Sequence, residues 1–244
     1  MPTCGFDPEN NLGTWSFPSD GTNVIVDLTS ILSLQEKSSP SWPEGLSPDL
    51  RAVFLISDSL DSHPLVSALN HRGWQVKIVP ETGERDFLAS IALSCIREGI
   101  PASLATADPL ALQFAGPRLD IWLFPEGKRW MASDVVERWG VDPWKLPDLH
   151  ALMGLPERGV PGTLGLDRDL AIKILSIFDG VEELLARLDL LEVHEFPSPH
   201  RLQKLLDQQA DRILIGLERV RYDHRYNIPV DPSMFIRKRK SRIL

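Results

Sequence analysis

Cysteine is almost missing from this chain of 244 residues, which carries only Cys4 and Cys95. Two thiols make no disulfide scaffold, and neither has a partner at metal-ligand spacing. The chain therefore reads as one for a reducing compartment, with Cys95 a small buried residue on a helix. Long apolar runs are missing too, and residues 1–22 lack the basic start and apolar middle of a signal peptide. The expectation is a soluble chain with a flexible leader and no membrane partner. Positive charge is in deficit, with 26 Lys and Arg against 34 Asp and Glu and a formal net charge of −8. That excludes coating a polyanion by bulk attraction, so any such contact has to come from a local patch. There are no internal repeats, no glycine fingerprint for a dinucleotide and no serine or cysteine nucleophile constellation. What is present is 43% hydrophobic content, enough to bury a core of one or two closely packed domains.

Residues 23–27 (NVIVD) are the first expected strand, an apolar run ending in Asp27. In an open parallel sheet, ligands gather at the carboxyl ends of strands, so Asp27 is a site candidate by position. An aspartate there also caps a following helix, and both readings fit. After a Ser- and Pro-rich loop at 38–48 the pattern returns, with residues 52–56 (AVFLI) preceding Ser57 and Asp58. A third strand at 74–80 precedes a helix that opens near Glu84 and Asp86 and runs to about Arg97. Acids in that first turn also simply complement the helix dipole. A fourth strand, 103–106 (SLAT), leads to Asp108, and residues 119–126 read as another strand. His63 and His71 have no partners at ligand spacing and read as surface or helix-end residues. Strands alternating with helices predict an α/β fold with a mostly parallel sheet and helices on both faces.

The second half is helical. Ser133 reads as the cap of a helix that packs through Val135, Val136 and Trp139, and Trp130, Trp139 and Trp144 read as core residues. Further on, Ala151-Leu152-Met153-Gly154 gives way to a polar loop and then to Gly159-Val160-Pro161-Gly162-Thr163-Leu164-Gly165. An amphipathic helix from Asp167 to Phe178 follows, with Arg168 and Lys173 on its polar side. The glycines leave amides uncovered where the positive end of the next helix dipole points, which suits a phosphate. A tight helical hairpin whose glycines only permit the turn fits the same spacing. One long helix is expected over 199–220. Residues 236–242 (IRKRKSR) form a basic tail that either touches nucleic acid or is merely solvated.

Taken together, these offsets resemble the helix-three-turn-helix of the 5′-to-3′ exonuclease and flap endonuclease superfamily, especially the nuclease domain attached to bacterial DNA polymerase I. The matching residues are Pro147, Asp148, Ala151 to Gly154, Val160-Pro161-Gly162, Gly165, Ala171, Ile174-Leu175, Phe178, Gly180, Glu182 or Glu183, and Leu184-Leu185. The resemblance spans about residues 23–230 and is densest from 133 onward. It implies a PIN-like or resolvase-like nuclease-type domain at 23–132, a helix-three-turn-helix (helix-hairpin-helix-like) DNA-binding region at 133–230, and a basic tail at 231–244. It implies Asp27, Asp58 and Asp108 as catalytic residues, and Asp27, Asp58, Glu84, Asp86 and Asp108 as ligands of Mg²⁺ or Mn²⁺. It further implies Gly159, Gly162, Thr163, Gly165, Arg168 and Lys173 as the DNA-binding set. The partner would be duplex, nicked or branched DNA, in the cytoplasm or another intracellular compartment that holds DNA. Such acids serve two-metal hydrolysis, in which one ion activates water and both stabilise charge at phosphorus and the leaving oxygen.

The departures from that pattern cluster. Phe87, Leu110, Leu155 and Arg158 stand where the family has aspartates, and Asp169 stands where it has a lysine. Residues 59–83 are too few for the basic helical arch that family members insert there. The resemblance then implies one ion well held and a second site degenerate, with Glu157 a compensating ligand to consider. The reading is a DNA-binding relative of these nucleases with weakened metal-dependent phosphodiester hydrolysis, alternatively a catalytically inactive DNA-binding or structural paralogue.

Overall fold

The computed structural model describes residues 22–33, 49–125, 127–194, 196–223, 226 and 228–238. Cys4, the leader before residue 22, the loop at 38–48 and the basic residues 239–242 lie outside them. The chain makes two compact units. The first draws on Met1–Pro109, Arg118–Arg129 and His224–Leu244, the second on Leu110–Pro117 and Trp130–Asp223, in each case through their described residues.

The first unit is built on strands β1 (Asn23–Asp27), β2 (Arg51–Ser57), β3 (Gln75–Val79), β4 (Ala102–Thr106), β5 (Leu119–Leu123) and β6 (Lys128–Trp130), in the order β3-β2-β1-β4-β5-β6. The first five pair in parallel, with Asp27 opposite Leu55 and Val26 opposite Ala105. This is the mostly parallel α/β sheet that the strand pattern predicted. Its helices are α1 (Leu28–Ser33), α2 (Pro64–His71) and α3 (Glu84–Arg97). Alternate side chains Val24, Val26, Ala52, Phe54 and Ile56 form one core with Leu28 and Ile31 of α1 and Leu65, Val66 and Leu69 of α2. The intervening Ile25, Val53 and Leu55 are buried as well, and so are Leu88, Ile91 and Cys95 of α3. Two apolar faces are why these strands read as unbroken hydrophobic runs. Burial pushes the Cys95 thiol up to about 12, which keeps it an inert core group. His63 caps α2 by accepting the Leu65 amide at Nδ1, and His71 sits exposed in its last turn. No described helix is long and apolar enough to cross a membrane.

The second unit contains α4 (Ala132–Trp139), α5 (Leu146–Met153), α6 (Arg168–Ile177), α7 (Val181–Ala186), α8 (Leu190–Val193), α9 (Pro199–Gln208) and α10 (Ala210–Val220). Three local expectations are corrected here. The cap of α4 is Met131 instead of Ser133, because the Asp134 carboxylate reaches back to the Met131 amide at 2.7 Å, and Val136 is left 42% exposed. Trp144 is 53% exposed, while its neighbour Lys145 turns inward to the carbonyls of Leu175 and Phe178 at the end of α6. The single helix over 199–220 is broken at Gln209, whose side-chain amide grips the backbone of Leu164, accepting its N–H at 2.9 Å and donating to its C=O at 3.3 Å.

Candidate functional site

In this sheet β1, β2 and β3 run outward in one direction, and the chain then returns to place β4 on the other side of β1. The carboxyl ends of β1 and β4 therefore flank the point where strand order reverses, the position at which α/β sheets gather ligands. Asp27 closes β1 there. It is buried, and Oδ2 accepts the Thr106 hydroxyl at 2.6 Å while Oδ1 accepts the Ser30 amide at 3.1 Å. Ser30 Oγ lies 3.0 Å from Thr106 Oγ1 and accepts the Ala107 amide, while Thr106 Oγ1 accepts the Asp108 amide. Two hydroxyls thus tie Asp27 to the turn that carries Asp108. The local capping reading of Asp27 is correct, and it does not compete with the positional one. Burial raises the Asp27 pKa above its ordinary 3.8; the hydrogen bonds oppose this and the Asp108 charge adds to it.

Glu84, the first residue of α3, lies in the same neighbourhood. Burial, with the charges of Asp27, Glu81 and Asp58, lifts its pKa from 4.5 to about 7, against a hydrogen bond from Thr29. Its Oε1 is buried and has no hydrogen-bond partner. Asp58 is exposed at the end of β2, where Oδ1 accepts the Glu81 amide at 3.0 Å. Asp86 is half-buried in the first turn of α3. The fold thus brings Asp27 within electrostatic reach of Asp108, and Glu84 within reach of Asp27 and Asp58, with Glu81 joining them unforeseen. Among the described residues no group of three or more His, Cys, Asp or Glu side chains is close enough to make a ready ligand cage. Burial first and neighbouring carboxylates second raise Asp27 and Glu84, without completing a coordination shell.

In metal-free buffer the raised Glu84 has a stability consequence. The folded chain prefers the protonated carboxyl, so this contribution is full below about pH 4.5 and is lost as the pH rises through about 7. Glu84→Gln is expected to match the parent near pH 4.5 and to be more stable at pH 8. The gain, on the order of 1 kcal/mol once solvent screening of a partly exposed group is allowed for, is read by urea unfolding at both pH values.

The glycine-rich turn of the second unit is an ordered structure. Leu155 and Val160 pair across it, and the Thr163 amide donates to Leu152 O at 2.7 Å. The amides of Gly159, Val160 and Leu164 are likewise taken, by Pro156 O, Leu155 O and the Gln209 side chain. The loop therefore presents fewer amides to an anion than its glycines promised. Gly162 and Thr163 are buried, whereas Gly159, Gly165, Arg168 and Lys173 are exposed. One Arg168 nitrogen donates to Arg138 O, and Lys173 Nζ sits 4.7 Å from the Phe196 ring centre. Asp148 is buried where it accepts the Val181 amide at 2.8 Å and meets Arg221 at 3.4 Å, so this motif residue fixes α7 instead of a ligand. Glu157 is exposed on a short 3₁₀ turn with Pro156 and Arg158.

No family model matches the chain. DNA polymerase I of Thermus filiformis is 26% identical over 156 residues, which are 64% of this chain and 18% of that protein. Flap endonuclease Xni of Klebsiella pneumoniae is 30% identical over 125 residues, 51% of this chain and 49% of that protein. A solved structure of T5 5′-exonuclease with bound zinc matches with a TM-score of 0.59 at 15% identity, covering 81% of this chain and 89% of that one. Over part of its length the chain is similar to DNA polymerase I and flap endonuclease Xni, proteins of the 5′ nuclease superfamily. It spans less than half the length of these curated 5′ nuclease relatives, and the likeness to the T5 protein is one of fold. At two positions where the resemblance implied acids, the side chains pack as apolar groups. Leu110 is buried, and the Phe87 ring packs on Tyr226 with centroids 5.7 Å apart.

Proposed function

We propose that this protein binds duplex, nicked or branched DNA and hydrolyses a phosphodiester slowly, with one divalent cation. The observation that carries the reading is the buried, unpartnered Glu84 Oε1 among the charges of Asp27, Asp58 and Glu81. An all-oxygen donor set in which the pKa values of Asp27 and Glu84 are raised by burial and by neighbouring carboxylates suits a hard cation, Mg²⁺ or Mn²⁺. Asp27, Asp58, Glu84 and Asp86 would hold it, with Asp108 reached through water. Such an ion supplies a water of lowered pKa and Lewis acidity at the phosphate. The chain's own part is orientation: Thr106 and Ser30 lock the Asp27 carboxylate, and the Glu81 amide directs Asp58. T5 D15 flap endonuclease has been solved with DNA and metal ions, at 13% identity and a TM-score of 0.56, which supports the same reading.

We assign DNA contact to exposed Gly159, Gly165, Arg168 and Lys173, with buried Gly162 and Thr163 shaping the turn. A catalytically silent DNA-binding protein is the second reading, favoured by Leu110, Leu155 and Arg158 where the family has acids. The test is a 5′-labelled flap and a nicked duplex incubated with the protein in Mg²⁺ and then Mn²⁺, scoring bound and cleaved DNA together. Binding with cleavage supports the first reading, binding alone the second, and neither leaves a structural role. Arg168→Ala with Lys173→Ala is expected to weaken nicked-duplex binding and to reduce the log–log salt slope by about two. An unchanged slope in the double variant would move the DNA contact elsewhere.

A further inference from the structure

From Gly162 to Leu166 the glycine-rich turn presents one side chain, and it is apolar. Gly162 and Gly165 carry none, Thr163 and Leu166 are buried, and Leu164 stands largely exposed. A single exposed leucine is ordinary on a surface, but the way this one is held is not. Gln209 takes both the N–H and the C=O of Leu164, and its Nε2 also lies 3.4 Å from Leu205 O in α9. The break between α9 and α10 puts Gln209 there, so a residue 45 positions away sets the direction in which Leu164 leaves the turn. Exposed Gly165, with no Cβ, lets another chain come close to the backbone beside it. The residues assigned above to phosphate contact, Arg168 and Lys173, follow on α6. A nucleic-acid strand alternates phosphate with sugar, so a turn whose charged neighbours take phosphates brings its uncharged side chain to a sugar. The C2′ of deoxyribose is a methylene and packs on a leucine, whereas a ribose hydroxyl pressed there loses water and finds no partner. We infer that Leu164, held out by Gln209, is the specificity-determining contact of this turn, packing on a sugar of the bound strand and favouring deoxyribose over ribose. The inference rests on the DNA contact proposed above for the turn. Gln209 acts through Leu164, as a positioning residue.

The test measures binding of the full chain to a nicked DNA duplex by fluorescence anisotropy, and repeats it on duplexes in which one deoxynucleotide at a time is exchanged for its ribonucleotide. It compares the parent with Leu164→Ala, Leu164→Met, Gln209→Ala and the double variant Leu164→Ala with Gln209→Ala, each confirmed folded by circular dichroism. Leu164→Ala is expected to weaken DNA binding roughly tenfold, the scale of one leucine side chain no longer buried on binding, and to leave the salt slope unchanged because no charge is removed. A ribose at one or two neighbouring positions should weaken binding by the parent several-fold and should make no difference to Leu164→Ala. Leu164→Met keeps the apolar bulk and should behave as the parent. Gln209→Ala should lose affinity as Leu164→Ala does and should add nothing in the double variant. Parent-like DNA binding by Leu164→Ala or Gln209→Ala overturns the inference and leaves the DNA contact standing. So does a ribose effect that is absent from the parent or persists in Leu164→Ala, and so does a loss that follows base sequence at a fixed sugar. No DNA binding by the parent removes both. Should Gln209→Ala fail to fold, Gln209→Glu, which keeps the stem and an accepting oxygen but gives up the donor to Leu164 O, carries the same expectation.

Discussion

Asp27→Asn is expected to leave the protein folded and to lower Mg²⁺-dependent cleavage of a 5′ flap by about a thousandfold or more, the scale of losing a group on which metal activation depends. The fold tolerates the change because the hydroxyl pair can reverse its polarity. The new carbonyl oxygen keeps the Ser30 amide. Thr106 Oγ1 turns its hydrogen to Ser30 Oγ, 3.0 Å away, and accepts the new amide hydrogen where it donated before. Burial raises the pKa of Asp27, so its ionised form costs stability at neutral pH, and the neutral amide removes that cost. The variant should therefore melt no lower than the parent in chelator while losing cleavage. Flap cleavage at the parent rate would take Asp27 out of the chemistry, and a collapsed melting curve would make its role purely structural.

The second large effect is on stability. Gly162 has φ +71°, and a Cβ there would lie 2.5 Å from Met153 O, 2.6 Å from Met153 C and 2.7 Å from the Gly154 nitrogen. All three are backbone atoms at the end of α5, so no side chain can swing aside. Gly162→Ala has to part the turn from α5 and strain the Thr163-to-Leu152 hydrogen bond. An expected cost is about 3 kcal/mol or more, a fall in melting temperature of roughly 6–12 °C for a chain of this size. Gly127→Ala is the control. It has φ +61° but nothing within 4 Å of the added carbon, so it should show only the ~1 kcal/mol left-handed penalty. Similar losses for the two would mean that the backbone approach at Gly162 contributes nothing beyond its dihedral angle. DNA binding measured on the folded fraction of Gly162→Ala then separates turn shape from stability.

How much of this was legible in the sequence follows from the range of each interaction. The strand ends at Asp27, Asp58 and Asp108 could be read because an apolar run ending in an acid is a local pattern, and the parallel sheet follows from the alternation of elements. The capping of α6 by Asp167 is local in the same way. Gln209 breaking a helix is not local, since its reason lies 45 residues away at Leu164. Nor did spacing identify Glu81, because its direction depends on how α3 meets the ends of β2 and β4. The glycine turn was found and partly misread: composition marks where backbone is uncovered, and only the folded chain shows that Thr163 and Leu164 have already committed their amides.

That grip of Gln209 on Leu164 makes the turn unusual in one respect. Leu164 projects its side chain into solvent, 65% exposed, above a peptide group held on both its N–H and its C=O. Its amide hydrogen should therefore exchange slowly with deuterated solvent despite its place on a surface loop. A loop already rigid before it meets a partner gives up little conformational freedom on binding. Its glycines, usually a mark of floppiness, here lie in a loop whose neighbouring amides are already hydrogen-bonded.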